Sequence, residues 1–119
     1  MRILIVDDDV DVRSLLEDSL VNAGYQITIA RDGAEGLEKL RDSDIDLVIT
    51  DLIMPEKNGL DFILELRAEF EERVKVIAMT GGIYDFPKIG DVDGADRFVS
   101  KPFHVDKILE LVSELVSES

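Results

Sequence analysis

Cysteine is absent from this sequence, and histidine occurs once, at His104. Without cysteine the chain has no disulfide and no thiolate chemistry, although this absence does not identify a cellular compartment. His104 has no second histidine with which to hold a metal ion, so we expect a surface or packing role for it. Long apolar runs are also missing, and none approaches the length of a signal peptide core or a membrane span. These absences predict a soluble, cytoplasmic protein without a membrane partner.

Basic residues are scarce relative to acidic ones. Lys and Arg number 13 against 27 Asp and Glu, which gives a net charge of −14. A field of this sign repels phosphate backbones and anionic membrane surfaces. We therefore expect no direct binding to nucleic acid.

The length and composition are typical of one globular domain. The chain has 119 residues, of which 45% are hydrophobic and 34% charged, and this is enough to build a hydrophobic core but not two domains. No repeat, linker or low-complexity segment divides it. We predict a single domain over residues 1–119.

Short apolar strand patterns alternate with helical patterns along the whole chain. The predicted strands cover residues 3–6, 26–30, 47–49, 74–79 and 98–99, and the regular helices cover 10–23, 33–40, 60–70 and 105–116. Strict alternation predicts parallel strands with right-handed crossovers and helices on both faces. The expected fold is α/β and flavodoxin-like, a doubly wound five-stranded sheet in the order 2-1-3-4-5.

Periodicity also predicts which helix residues are buried. Gly24 stands where the first helix should end, and Asp32 is a predicted N-cap for the second. The apolar stripe of the first helix is Val12, Leu15, Leu16, Leu20 and Ala23. That of the third is Leu60, Ile63, Leu64, Leu66 and Phe70.

The fourth helix is the weak point of the pattern. By the rhythm of the chain it should lie within residues 84–97, but this stretch contains Pro87, Gly90 and Gly94. Because proline and glycine disfavour helix interiors, we expect this helix to be short or irregular and residues 84–93 to be the least protected part of the fold.

Asp51 follows the apolar run at residues 47–49, and Pro55 stops the extended path soon after. It should therefore lie at the carboxyl end of a buried strand, which is the edge where open parallel sheets bind ligands. Taken alone, an aspartate there more often begins a turn.

The other strands end in polar residues too. Strand 1 runs into Asp7-Asp8-Asp9, strand 4 into Thr80-Gly81-Gly82, and strand 5 into Lys101-Pro102. Clustered carboxylates favour a cation, and oxygen ligands without histidine or cysteine favour Mg²⁺. A lysine and a hydroxyl donor beside them suit a phosphoryl group. The predicted chemistry is phosphoryl transfer, in which a carboxylate can be the nucleophile.

Four motifs in order resemble one known family. They are Ile-Leu-Ile-Val-Asp7-Asp8-Asp9, Asp51-Leu-Ile-Met-Pro55 with Gly59, Met79-Thr80-Gly81, and Ser100-Lys101-Pro102-Phe103. Together they are similar to the response-regulator receiver domain of two-component signalling, in its single-domain chemotaxis form. The resemblance covers essentially the whole chain.

The resemblance implies a role for each matching residue. Asp51 would be the phosphoacceptor, and Mg²⁺ would be bound by Asp8, Asp51 and the backbone carbonyl of Ile53, with Asp7 acting through water. Lys101 would contact the phosphoryl group, aimed by a Lys-Pro bond that is commonly cis in the family. Thr80 would move to hydrogen-bond that group, and Phe98 would be the aromatic switch residue.

The resemblance also implies partners. The phosphoryl donor would be a sensor histidine kinase or a phosphotransfer protein, and a downstream protein would bind near helix 4, strand 5 and helix 5 of the family fold. Such a domain is a signalling module that catalyses its own phosphorylation and dephosphorylation, not an enzyme acting on another substrate. We expect no output domain in this chain, and either a monomer or a phosphorylation-dependent dimer.

Two alternatives remain open at this point. In a haloacid-dehalogenase-like phosphatase, Asp7 would be the nucleophile and Asp9 the acid/base, although the chain has no room for a cap and the Asp51 and Lys101 motifs would be unexplained. The second alternative is a receiver-like module that is never phosphorylated, against which the intact motif residues argue. Asp9 and Asp11 are otherwise expected at the start of the first helix, where acidic residues favour the helix dipole.

Overall fold

The computed structural model describes residues 1–52, 59–80, 95–100 and 103–118. The strands are β1 (Arg2–Val6), β2 (Gln26–Ala30), β3 (Leu47–Asp51), β4 (Lys75–Thr80) and β5 (Arg97–Ser100). The described helices are α1 (Val10–Asn22), α2 (Gly33–Asp42), α3 (Gly59–Phe70) and α4 (Val105–Glu118). All neighbouring strands pair in parallel, in the order β2-β1-β3-β4-β5. The predicted sheet order and fold class are confirmed.

Both faces of the sheet are buried, which explains why its central strands are continuous apolar runs. Successive residues of β3 face opposite sides. Val48 joins a core cluster with residues of α2 and α3, whereas Leu47 and Ile49 join a second cluster with residues of α1 and α4. The helices therefore cover the sheet from both sides.

The end of α1 is formed as its sequence predicts. Gly24 has a φ of 101°, a left-handed conformation that glycine adopts without a Cβ penalty. Its N–H donates to the carbonyl of Val21 at 3.0 Å, and the N–H of Tyr25 donates to that of Leu20 at 3.1 Å. These two bonds form a Schellman motif, which satisfies carbonyls that the helix leaves unpaired.

Three predicted core positions on the helices are wrong. Leu15 is 49% exposed and Leu64 is 58% exposed, and Ala23 is also exposed. The buried face of each helix is narrower than the predicted apolar stripe. In α1, only Leu16 and Leu20 of that stripe are fully buried. A neighbour one position away lies about 100° around a helix of 3.6 residues per turn, which turns Leu15 toward solvent.

The predicted fourth helix falls largely outside the described residues, as does the expected weak protection of residues 84–93. Within the stretch expected to contain it, Arg97 belongs to β5 and is paired with Ile77 of β4. The last strand thus begins one residue before Phe98.

None of the helices in the described part of the chain has the length and apolar composition that a membrane span requires.

Candidate functional site

Asp7 and Asp51 lie side by side at the carboxyl edge of the sheet. Their strands, β1 and β3, are hydrogen-bonded neighbours, and the last paired residues are Val6 and Thr50. Asp7 directly follows the end of β1, and Asp51 is the last residue of β3. Because β2 lies on the other side of β1, this is the point at which the strand order reverses and where such sheets bind ligands.

Asp8 completes a cluster of three carboxylates. Oxygen atoms of Asp7, Asp8 and Asp51 all lie within 4.8 Å of one another. Asp7 is fully buried and Asp51 is 7% exposed, whereas Asp8 is exposed. The cluster therefore has two buried carboxylates at the end of the sheet and one carboxylate that is exposed to solvent. Three carboxylate oxygens at this spacing form a donor set that suits a hard divalent cation.

Asp7 is held by the turn between β1 and α1. Its backbone N–H donates to the carbonyl of Ala30 at 3.2 Å. Its Oδ1 accepts a 2.9 Å hydrogen bond from the N–H of Asp9. Its carbonyl accepts a 3.1 Å bond from Nη1 of Arg13. The position of this carboxylate is thus fixed by contacts from β2, the turn and α1.

Asp9 has a different role from its two neighbours. It is the N-cap of α1, and its Oδ1 accepts hydrogen bonds from the N–H groups of Asp11 at 2.9 Å and Val12 at 3.4 Å. A capping oxygen compensates N–H groups that have no partner inside the helix. The expectation that Asp9 and Asp11 belong to the start of the helix is confirmed by this geometry.

The backbone of Asp51 is held from two sides. The buried hydroxyl of Thr50 donates to the Asp51 carbonyl at 3.0 Å. On the other side, Gly59 begins α3 and lies so close to Asp51 and Leu52 that a Cβ atom at this position would overlap their backbone. The N–H of Gly59 donates to the carbonyl of Leu52 at 2.8 Å. The first turn of α3 is thus packed onto the end of β3.

The remaining predicted site residues lie at this edge or outside the described residues. Thr80 ends β4, beside Ser100 of β5. Its side chain is outside the described part of the structure, so the phosphoryl contact expected of its hydroxyl stays a prediction. Phe98 is half-buried and packs against a core cluster, as a residue linking β5 to the interior would. Lys101 and the carbonyl of Ile53 lie outside the described residues, as do Gly81 and Gly82.

Sequence reasoning missed two residues that touch the site. Arg13 was not distinguished from a surface arginine. Its spacing from Asp9 places it four residues into the first helix, where it can reach back to the segment between β1 and α1. Thr50 was treated only as part of an apolar strand. A buried hydroxyl directly before a strand-end carboxylate was the available signal for it.

A surface cavity lies at the opposite edge of the sheet. Its volume is about 380 Å³ and it lies between the ends of α2 and α3, where Leu40, Ile45, Phe70 and Val74 form its apolar floor. The Arg73 guanidinium at its rim donates to carbonyls of α3. The cavity is remote from the three carboxylates and takes no part in their chemistry.

The fold and the site together define a doubly wound α/β domain with a cluster of three carboxylates at its switch point. Residues 3–113 match the family described as the response regulator receiver domain. The chain therefore belongs to this family, the phosphoacceptor module of two-component signalling systems. The phosphatase alternative is not supported, since the family match accounts for Asp51 and Asp9 is a helix cap.

Curated relatives are longer than this chain. The transcriptional regulatory protein CpxR of Klebsiella pneumoniae is 35% identical over 118 residues, which are 99% of this chain and 50% of that protein. The uncharacterized transcriptional regulatory protein YrkP of Bacillus subtilis is 36% identical over 108 residues, 90% of this chain and 46% of that protein. The chain thus spans about half the length of these relatives.

Solved structures share the fold over nearly the whole chain. The response regulator TrrA of Thermotoga maritima, crystallised in complex with Mg(2+)-BeF, is 36% identical with a TM-score of 0.84, covering 96% of this chain and 97% of that one. The chemotaxis response regulator CheY4 of Vibrio cholerae is 27% identical with a TM-score of 0.85, at the same coverage of 96% and 97%.

Proposed function

We propose that Asp51 accepts a phosphoryl group from a phosphohistidine of a sensor histidine kinase or a phosphotransfer protein, in a reaction that requires Mg²⁺. The observation that carries this proposal is the meeting of the Asp7, Asp8 and Asp51 carboxylates within 4.8 Å at the switch point of the sheet. Membership of the receiver family supports it.

Asp51 is better suited to attack phosphorus than its neighbours. Asp7 is fully buried, and one of its oxygens already accepts the Asp9 N–H. Asp8 is exposed and lies in the turn after β1. Asp51 combines a backbone fixed by Thr50 and Gly59 with a carboxylate that is 7% exposed, between fully buried Asp7 and exposed Asp8. A positioned nucleophile is what phosphoryl transfer requires, since most of its catalysis is positioning and charge neutralisation.

Mg²⁺ fits the residues that are present. Asp8, Asp51 and the backbone carbonyl of Ile53 would hold it, with Asp7 acting through water. When bound, Mg²⁺ would offset carboxylate repulsion and the charge of the phosphoryl oxygens. The Mg(2+)-BeF complex of TrrA, a structural relative of this chain, supports this assignment.

The transfer step exchanges one bond to phosphorus for another. An Asp51 carboxylate oxygen forms a P–O bond while the P–N bond to the donor histidine breaks, and the released imidazole nitrogen takes up a proton. Lys101 would pair with a phosphoryl oxygen, and Thr80 would donate its hydroxyl to another. Attack of water on the phosphorus of the acyl phosphate would break the new P–O bond, release inorganic phosphate and return Asp51 to its carboxylate.

The phosphorylated site would be read by a protein partner. Thr80 and Phe98 lie on adjacent strands, so movement of Thr80 toward the phosphoryl group would be coupled to the position of Phe98. This change would bias a surface formed by β5, α4 and the segment that precedes β5. We place the domain in the cytoplasm with its kinase, as a monomer or a phosphorylation-dependent dimer, and assign the whole of residues 1–119 to it.

The experiment is phosphorylation by labelled acetyl phosphate with Mg²⁺. Wild-type protein should gain one phosphoryl group that is released by hydroxylamine, as an acyl phosphate is, and a chelator should prevent labelling. Asp51→Asn should abolish labelling, whereas Asp44→Asn, which changes an exposed carboxylate away from the site, should label normally.

Asp7→Asn tests whether Asp51 or Asp7 is the residue that accepts the phosphoryl group. It should weaken Mg²⁺ binding and slow labelling without abolishing the acceptor. Label that persists in Asp51→Asn and disappears only in Asp7→Asn would contradict the proposal. An unlabelled wild-type protein that nevertheless binds Mg²⁺ and beryllofluoride would exclude acetyl phosphate as a donor and limit the proposal to phosphohistidine donors.

A further inference from the structure

We propose that Arg13 is a built-in countercharge of the metal site, which stabilises the metal-free carboxylate cluster and thereby lowers its affinity for Mg²⁺. This inference rests on the proposed function, because it assigns a residue to the regulation of the same site. The observation behind it is a partly buried guanidinium bonded to the main chain of one of the three clustered aspartates.

Arg13 is held close to the cluster. It lies one turn into α1, and its Nη1 donates to the carbonyl of Asp7 at 3.1 Å. Its Nε is buried, with no hydrogen-bond partner in the part of the chain that the structure describes. A guanidinium cannot lose its charge at any ordinary pH. A permanent positive charge is therefore partly withdrawn from water and bonded to the main chain of Asp7, which carries one of the two buried carboxylates.

The position of Asp7 does not depend on Arg13 alone. The N–H of Asp7 is bonded to Ala30 of β2, and its Oδ1 is bonded to the N–H of Asp9. The turn is also fixed by the Asp9 cap on α1. With these contacts intact, replacing Arg13 should leave the carboxylates in place and change mainly the electrostatic potential at the site.

The sign of the effect follows from Coulomb's law. In the metal-free protein the guanidinium attracts carboxylates that repel one another, so it stabilises that state. When a divalent cation binds, the same guanidinium repels it. Removing the charge should therefore destabilise the metal-free protein and tighten Mg²⁺ binding, and both effects should shrink as salt shortens the range of the interaction.

The test is Mg²⁺ binding to chelator-treated protein, measured by calorimetry at low and high ionic strength. Arg13→Met keeps an apolar stem and removes the charge, and Arg13→Gln removes the charge but keeps a donor. Both should bind Mg²⁺ about fivefold more tightly than wild type at low salt, with a smaller gain in about 0.5 M salt. Arg13→Lys, which keeps the charge, should bind like wild type.

Arg41→Met is the matched control. It removes the same charge from α2, where Arg41 is paired with Glu69 away from the site, and it should leave Mg²⁺ affinity unchanged. Urea unfolding with and without Mg²⁺ gives an independent readout: stabilisation by Mg²⁺ should be greater in Arg13→Met and Arg13→Gln than in wild type.

Equal or weaker Mg²⁺ binding by both neutral variants would overturn the inference and make Arg13 a positioning residue only. A gain in affinity that is the same at both salt concentrations would also overturn it, since a charge effect must be screened. Failure of wild-type protein to bind Mg²⁺ would instead overturn the proposed function, and with it this inference.

Discussion

Gly59 lies directly against the backbone of Asp51. A Cβ atom at Gly59 would overlap the Asp51 carbonyl and the α-carbon of Leu52, which are main-chain atoms at the end of a buried strand. Backbone in the middle of a sheet cannot move aside as a flexible side chain can. The glycine is therefore required where α3 starts, because this start is packed onto the strand that carries the candidate phosphoacceptor.

Gly59→Ala should lower the free energy of unfolding by about 3 kcal/mol, at the upper end of what overpacking usually costs. Gly36→Ala is the matched control. There the added Cβ would meet side-chain atoms of Phe62 and Val6 at 3.0 to 3.2 Å, so we expect a loss of only about 1 kcal/mol. Urea unfolding measures both, and equal losses would show that the start of α3 can shift away from β3.

Arg67 and Asp96 form an ion pair at the edge of the sheet opposite the carboxylate cluster. The Arg67 guanidinium donates to the Asp96 carboxylate at 2.9 Å and to the carbonyls of Glu71 and Val74, each at 2.6 Å. The same Asp96 oxygen accepts the N–H of Val76 at 2.8 Å. This network ties the end of α3 to β4 and to the residue that precedes β5.

Arg67→Met should cost about 2 to 3 kcal/mol, because it leaves a partly buried carboxylate without its charged partner and removes a donor from two carbonyls. The side chains of Arg67 and Asp96 are 19% and 28% exposed. A double-mutant cycle with Asp96→Asn measures their coupling by urea unfolding. In the more exposed pair, Arg41 and Glu69, the side chains are 53% and 39% exposed, and the coupling should be smaller; the reverse order would contradict this account.

The sequence predicted the fold well because its signals are local. The central strands are apolar on both faces, so β1, β3 and β4 were recognisable as runs, and alternation with helices then restricts the topology. Gly24 and Asp32 marked helix ends correctly, since Gly24 has a positive φ and Asp32 caps α2. Each of these signals depends only on residues that are close together in the sequence.

The site was predicted only in part, because some of its contacts depend on local geometry that residue spacing does not show. The meeting of Asp7 with Asp51 followed from the strand order, but the contact of Arg13 with Asp7 depends on how α1 leaves its turn. Likewise, periodicity could not show that Leu15 faces solvent while Leu16 is buried. Lys101 and Ile53 stay predictions from the family motif.

Glu69 gives the protein a pH-dependent contact on its surface. A hydrogen bond from Arg41 holds the pKa of the Glu69 carboxyl below its usual value, with the guanidinium and carboxylate 2.8 Å apart. A carboxyl whose pKa is lower in the folded state stabilises the fold above its unfolded pKa, and this contribution is lost as the pH falls through the folded value.

Glu69→Gln should therefore be slightly less stable than wild type at neutral pH and should match it in acid, below the range in which glutamate ionises. The neutral-pH difference should shrink with added salt, because the pair is exposed. Glu72→Gln, on the exposed turn after α3, controls for the loss of a negative charge. A difference between wild type and Glu69→Gln that persists in acid would show that packing, not the ion pair, is responsible.

Asp9 distinguishes a helix cap from a catalytic acid. Its Oδ1 accepts the N–H groups of Asp11 and Val12, and serine can supply the same acceptor. We expect Asp9→Ser to retain nearly all of its stability and its labelling by acetyl phosphate. Asp9→Ala should lose about 1 kcal/mol of stability, the usual cost of a lost cap, while labelling of the folded protein persists. If Asp9→Ser folds normally but can no longer be dephosphorylated or labelled, Asp9 takes part in the chemistry and the phosphatase-like assignment of its carboxylate must be reopened.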